Sequence, residues 1–502
     1  MDKTQRDESH KSTICSGNLS EVNTPKSIIR NMLIYNGNIN NKIQKLMASR
    51  RNFLKKYFFT GCLTTLRSGS MANNSIQKYK KEESCKVYRS VNGNPDENIA
   101  KVIDLIGGIE KIVGSGDVVV IKPNLQWWNQ GAPNLAALKT LIDLIMERPG
   151  GFHGEVIIAE NCHRGSYPWK SQNSGWAHHF TLNSDIPKLN NMNDLANYLK
   201  KQYDTRFSTS HWIDVKSGNR RIYSPADGNG YVYCDGTNGT PLIQFDNGAD
   251  GSNHRATIMT YPIFSSDKGT VIDFKNGIWE KGTYTGQPLR FINFAALNHH
   301  STYCGFTSAV KNYLGINDLS GGSDPFNDGH LIGKYYNFHS FPFNKWSPGP
   351  IPGMIGAEIG TFMNSIRKAD LNITSAEWIG LCSRIDPPVA HTRTIIASTD
   401  PVALDYHAAK YILFPNSKLP IHNPDNKHHP AYQYLKKCAE NNGGIFDEQY
   451  IKVKSFDFNT KSFQKDNELV IIGEKIWGAN FKQLLKYLIL RFDILRGIIN
   501  IN

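Results

Sequence analysis

Closely spaced cysteines are missing from this chain. It carries eight in 502 residues. Cys15 and Cys62 lie near the amino terminus, and Cys85, Cys162, Cys234, Cys304, Cys382 and Cys438 are separated by gaps of at least 56 residues. A zinc ribbon or a cysteine-ligated iron–sulfur cluster draws several thiolates from one tight run, so neither is expected. The Gly-x-Ser-x-Gly elbow, the phosphate loop and the Gly-x-Gly-x-x-Gly fingerprint are missing too. That removes the commonest hydrolase, kinase and dinucleotide-binding readings. A strong excess of one charge is missing from most of the chain. The formal net charge is +13, but residues 1–72 hold twelve Lys or Arg against four Asp or Glu, and the remainder holds 45 against 40. Such a remainder is an ordinary protein surface and gives no electrostatic case for nucleic acid.

Long apolar runs are scarce as well. The stretch from Tyr57 to Leu66 is about half the length that spans a bilayer. It follows Ser49-Arg50-Arg51-Asn52-Phe53-Leu54-Lys55, and the combination resembles a twin-arginine leader, in which an export receptor reads the paired arginines. The resemblance implies the twin-arginine export machinery as a partner and a periplasmic or otherwise extracytoplasmic location. Ser70-Met71-Ala72 offers the small residues a signal peptidase accepts, so cleavage is expected after Ala72. A competing reading takes Phe59-Thr60-Gly61-Cys62 as a lipid-acceptor box, with Phe where such boxes prefer Leu. Residues 1–46 are rich in Asn, Ser and Lys without a sustained apolar period and are not expected to pack. Met47 is the alternative start of the leader, which then covers 47–72.

The part beyond residue 72 is long enough for one large domain or two smaller ones. Val118 to Ile121 is a β-branched strand, Leu135 to Met146 has apolar residues at helical spacing before Gly150-Gly151, and Val156 to Ala159 is another strand. This is a βαβ unit, and a mostly parallel sheet with flanking helices follows from it. Between about 203 and 287 the texture turns to Gly, Asn, Asp and Ser with scattered aromatics, a β-rich insertion with a hairpin turn at Lys275-Asn276-Gly277-Ile278. The α/β pattern then returns: strands at Phe291 to Ala296 and Thr394 to Ser398, helices at Thr307 to Leu314, Ile359 to Arg367 and Pro401 to Leu413. The expected organisation is an α/β domain over 73–440 and a carboxyl-terminal extension over 441–502.

Four stretches bring polar residues to expected strand ends, where open α/β sheets bind ligands. They are Val120-Ile121-Lys122-Pro123-Asn124, Ile158-Ala159-Glu160-Asn161, Asn298-His299-His300 with Lys311-Asn312 behind it, and Ser398-Thr399-Asp400-Pro401 with Asp405. In this order, with Asp370-Leu371-Asn372-Ile373 before the last, they resemble the family called domain of unknown function 362, from about Asp117 to Leu413. The family has no settled reaction. Some members carry a ferredoxin-like cysteine module, and exported members with twin-arginine leaders are common. The module's cysteines are missing here, so an iron–sulfur cluster is not carried over.

These residues suggest acid–base chemistry on an anionic organic small molecule, with a non-catalytic extracytoplasmic binding or cofactor-maturation protein as the alternative. Lys122 is expected to hold the anion with Asn124 and Asn312 as further ligand contacts. Glu160, His299 or His300 would move a proton, and Lys311 would stabilise developing negative charge. Asp400 and Asp405 would orient the others or hold a divalent metal. Each has a plainer reading. Asp400 before Pro401 suits a helix cap, Lys122 and Lys311 suit solvated surfaces, and His299 and His300 point to opposite faces if extended. Trp127 and Trp128 are an aromatic wall for the ligand or ordinary core.

Asp246-Asn247-Gly248-Ala249-Asp250-Gly251 has a calcium-loop flavour but lacks the acidic twelfth ligand, so a turn is expected. His178-His179 and His428-His429 lack companion metal ligands. Over 479–502, Phe481, Leu484, Leu485, Leu488, Phe492, Leu495 and Ile499 share a helical face, with Lys482, Lys486, Arg491 and Arg496 on others. This amphipathic helix docks on the domain or makes a peripheral membrane contact.

Overall fold

A computed structural model describes residues 84–161, 174–212, 221–246, 256–301, 303–319, 330–337 and 353–478. The leader, both candidate processing sites, most of the calcium-like loop and the amphipathic segment over 479–502 lie outside the described residues. Among the described residues no helix is long and apolar enough to cross a membrane.

The central sheet is built from β1 (Cys85–Val91), β2 (Val118–Pro123), β3 (Glu155–Glu160), β4 (Phe207–His211), β5 (Leu289–His299), β6 (Leu371–Gly380), β7 (Val389–Ser398) and β8 (Ile451–Asp457). They lie side by side in the order β8-β1-β7-β6-β5-β2-β3-β4. From β6 to β4 all neighbours are parallel. The sheet as a whole is mixed, however, and the expectation of a mostly parallel sheet is corrected here: β7 runs antiparallel to both β6 and β1. The reason is the length of the 381–388 connection, because a parallel return needs a crossover of about a dozen residues or more.

Helices α1 (Pro95–Ile106), α2 (Leu135–Met146) and α3 (Met192–Tyr203) cover one face of the sheet. The start of α2 follows from Asn134, whose side chain accepts from the amides of Ala136 (2.9 Å) and Ala137 (3.1 Å). Its buried stripe of Leu138, Leu141, Ile142 and Ile145 packs with Val119, Ile121, Val156 and Ile158. Strand alternation sends Val118, Val120, Ile157 and Ala159 to the other face. There they meet α5 (Met354–Ser365), α6 (Pro401–Ala408) and α7 (Pro430–Glu440), in chain order after a short α4 (Ala309–Asn312). Each fully buried Leu, Ile or Val contributes about 1.5–3 kcal/mol of transfer free energy, which makes this doubly covered sheet a rigid frame for whatever its strand ends carry.

The β-rich region begins later than the sequence suggests, because Phe207–His211 is the edge strand of the central sheet. Residues 221–284 then supply a six-stranded sheet, and a four-stranded one combines Gln244–Asp246 and Ala256–Ile258 with His330–Ile332 and Tyr335–Tyr336. The hairpin falls where expected: Asp273 opposes Gly277, and the Asp273 carboxylate accepts from the amides of Lys275 (2.9 Å) and Asn276 (2.8 Å). At the far side, β8 pairs in parallel with β1, so residues 451–457 are part of the central sheet.

Candidate functional site

A cavity of about 50 Å³ opens at the carboxyl ends of β2, β3 and β5. It is lined by Lys122 near the end of β2 and Asn124 just past it, by Glu160 closing β3 and Asn161 just past it, and by Asn298 near the end of β5 and His300 just past it. Lys311 and Asn312 reach it from α4, and Trp127 and Arg384 from loops. Lys122, Asn124, Trp127, Glu160, His300, Lys311 and Asn312 were each legible as candidates. Asn161, Asn298, Arg384 and Gly315 join them.

Alternation along β2 puts Lys122 on the same face as Val118 and Val120, beneath α4. It is 1% exposed. Its ammonium donates to Glu160 Oε2 (2.9 Å), Asn312 Oδ1 (2.8 Å) and the carbonyl of Pro123 (3.3 Å), which uses all three of its donors. Asn312 in turn donates to the carbonyl of Lys122 (3.1 Å) and to Asn293 Oδ1 (2.7 Å), and Asn293 donates to Asn372 Oδ1 (2.9 Å). Since Asn293 pairs with both Lys122 and Asn372 in the sheet register, this is a buried polar row running across three strands under the cavity. It fixes the Lys122 ammonium on Glu160. Lys122 therefore supports the carboxylate and has no donor left for an anion, contrary to the role its position suggests.

Burial pushes the Glu160 carboxyl up to about 7, opposed by the charge and hydrogen bond of Lys122 and by the amides of Asn161 and Leu125. Burial likewise lowers Lys122, opposed by Glu160. Burial thus holds the Glu160 carboxyl close to neutrality in spite of its bridge to Lys122. Gly315 makes room for it: a Cβ at that position would lie 2.6 Å from Glu160 Oε1 and 2.7 Å from Lys122 Nζ.

Lys311 is different. It is 9% exposed, and among the described residues it has no hydrogen bond or ion pair. Burial pushes its ammonium down to about 8, and the Arg384 and Lys122 charges act in the same direction, against Cys304. Arg384 lies over the Trp127 ring at 5.2 Å and donates to His300 Nε2 (2.9 Å). The cavity thus holds Lys122, already paired with a carboxylate, and Lys311, which among the described residues is not paired with an acid, while Arg384 is engaged on Trp127 and His300.

The other candidates sit elsewhere. His299 turns away from the cavity onto His422 (3.0 Å), the opposite-face arrangement that an extended His-His pair dictates. Trp128 stacks on His178 with ring centroids 3.8 Å apart. Asp400 caps α6, one oxygen accepting from Val402 (3.0 Å) and Ala403 (2.9 Å) and the other from Ile445 (2.9 Å). Asp405 accepts from the amides of Ala309 (2.8 Å) and Val310 (2.9 Å), so it caps α4 across space. Both carboxylates are occupied by backbone N–H groups outside the cavity lining. That geometry does not offer them to a cation. Among the described residues no group of three or more His, Cys, Asp or Glu is placed to hold a metal, and Cys85, Cys234, Cys304 and Cys438 carry free thiols.

Sequence carried no signal for Arg384, which arrives on the 381–388 loop without a motif. Gly315 was unreadable for a different reason: its value lies in side chains that approach it from β2 and β3. No family model, curated protein or solved structure matches the chain.

Proposed function

We propose that the cavity is the active site of an acid–base enzyme acting on a small anionic organic molecule. The observation that carries the reading is one cavity containing both a carboxyl held near neutrality, Glu160, and a buried ammonium, Lys311, without a counter-charge among the described residues. Leaving Lys311 charged and unpaired is costly, so an anion seated there is favoured by the field already in place. Binding it raises the Lys311 pKa and draws in a proton near pH 8.

The chemistry that follows is proton transfer next to the anionic group. Glu160 as carboxylate takes a proton from the carbon beside the substrate carboxylate and becomes the neutral acid. The electron pair moves onto the substrate oxygens, where Lys311 and Arg384 stabilise it, and Glu160 returns the proton in the reverse step. Lys122 keeps Glu160 oriented throughout. In heavy water the wild type should exchange that C–H for deuterium in a panel of small carboxylates, read by proton NMR, and Glu160→Gln should not. A second reading has support in the 2.9 Å Lys122–Glu160 bridge, which suits a rigid binding or cofactor-maturation protein; ligands bound without any exchange would favour it.

The resemblance to the domain of unknown function 362 family and the twin-arginine leader complete the proposal: an exported member of that family working outside the cytoplasm, with membrane contact through 479–502 as an added element. Changing both Arg50 and Arg51 to Lys should leave precursor in the cytoplasm, because an ammonium does not reproduce guanidinium geometry. Undiminished export of that variant would remove this part.

A further inference from the structure

Two unclaimed acceptors narrow the ligand, on the reading just given that the cavity takes an anion. Asn161 donates its side-chain N–H to Tyr231 Oη (3.1 Å) and to the carbonyl of Asn317 (3.0 Å), and Asn298 donates to the carbonyl of Gln130 (3.3 Å). A backbone carbonyl only accepts, so these bonds fix which end of each amide is the nitrogen. The two Oδ1 atoms are then buried acceptors without a hydrogen-bond partner among the described residues, on side chains that both belong to the cavity lining, the residues being 3% and 1% exposed. Buried polar atoms are nearly always partnered, and each exception calls for an explanation. Two such acceptors beside the buried Lys311 ammonium describe a ligand that presents negative oxygens at one end and hydrogen-bond donors at the other.

We propose that the ligand is a short polyhydroxy carboxylate, its carboxylate held by Lys311 and its hydroxyls donating to Asn161 Oδ1 and Asn298 Oδ1. An amino acid would also bring donors. Its ammonium, however, would enter a cavity already holding Lys122, Lys311 and Arg384, and like charges in a desolvated space repel strongly. A phosphate would satisfy the cations. Its oxygens point to every corner of a tetrahedron, and in a cavity of about 50 Å³ some would face the two amide oxygens, acceptor against acceptor. A carboxylate has only two oxygens and leaves the rest of the molecule to carry hydroxyls.

The test is calorimetric binding to the full chain at pH 7 of propionate, racemic lactate and racemic glycerate, which carry no, one and two hydroxyls on the same three-carbon frame, with alanine and inorganic phosphate alongside. Affinity should rise from propionate through lactate to glycerate, with at least about tenfold between the ends, because a site built to hydrogen-bond a hydroxyl discriminates against the analogue lacking it. Alanine should bind more weakly than lactate. Asn298→Leu should weaken glycerate to the level of lactate while changing propionate by no more than about threefold. Equal affinity for glycerate and propionate, or phosphate binding more tightly than glycerate, would overturn the ligand class while leaving an anion site in place. Failure of the wild type to bind any of the anions would overturn the ligand class together with the anion site on which it rests.

Discussion

Lys122→Met should destabilise the protein by about 3–5 kcal/mol at pH 8, because it leaves the buried Glu160 carboxylate without its counter-charge. The deficit should shrink with acidity, and the sign follows from the direction of the Glu160 shift. Its folded pKa, up at about 7 through burial, lies above the unfolded value of about 4.3. The folded chain therefore binds the proton more tightly, and the stability this brings is complete below the unfolded pKa and lost as pH rises through about 7. Without Lys122 the opposing attraction is gone and Glu160 moves further up. At pH 5 the carboxyl is already neutral and the variant should sit close to the wild type. Adding Glu160→Gln to Lys122→Met should recover more than half of the pH 8 loss, since it removes the stranded charge. Urea unfolding of the three proteins at both pH values is the measurement, and a deficit independent of pH would show that packing dominates.

Asp405→Ala should cost about 3 kcal/mol, the desolvation of two amides, Ala309 and Val310, left buried without an acceptor. Its effect on the site should exceed that of an ordinary core defect. Lys311 and Asn312 both ride on α4, whose first turn Asp405 holds, and Asn312 is the clamp that keeps Lys122 on Glu160. Loosening α4 should therefore weaken anion binding by about tenfold or more as well as stability. Asp405→Asn keeps one acceptor and should lose about half as much stability. The checks are urea unfolding and carboxylate affinity on the same preparations. A variant as unstable as predicted but with unchanged affinity would separate the cap from the site.

What could be read from the sequence is what local chemistry determines. Polar residues closing apolar runs marked the ends of β2, β3 and β5, because a polar side chain at the carboxyl end of a covered strand is placed to reach the crevice beyond the sheet. The alternation rule also separated His299 from His300. Strand direction was not legible: β7 carries the same periodicity whether it runs with β6 or against it, and only the 381–388 loop decides. Asp405 was visible as a carboxylate on the helix that follows Pro401, but the amides it serves lie 95 and 96 residues away. The role of Lys122 was hidden by the same kind of distance. Its position predicted a cation at the site, while its third donor is consumed by Asn312, 190 residues on. Among the described residues Lys311 is the cavity cation not paired with an acid, and the sequence alone equally allowed it to be a solvated helix residue.

The account depends on a proton that Glu160 exchanges near neutral pH, and a carbon-13 NMR titration observes that directly. With the glutamate carboxyl carbons labelled, the signal missing from Glu160→Gln identifies Glu160 in the wild type. The predicted result is a midpoint near pH 7, where burial places it. A midpoint at the ordinary glutamate value of about 4.3 or below would contradict it, and would make Lys122–Glu160 a fixed ion pair with no proton to move.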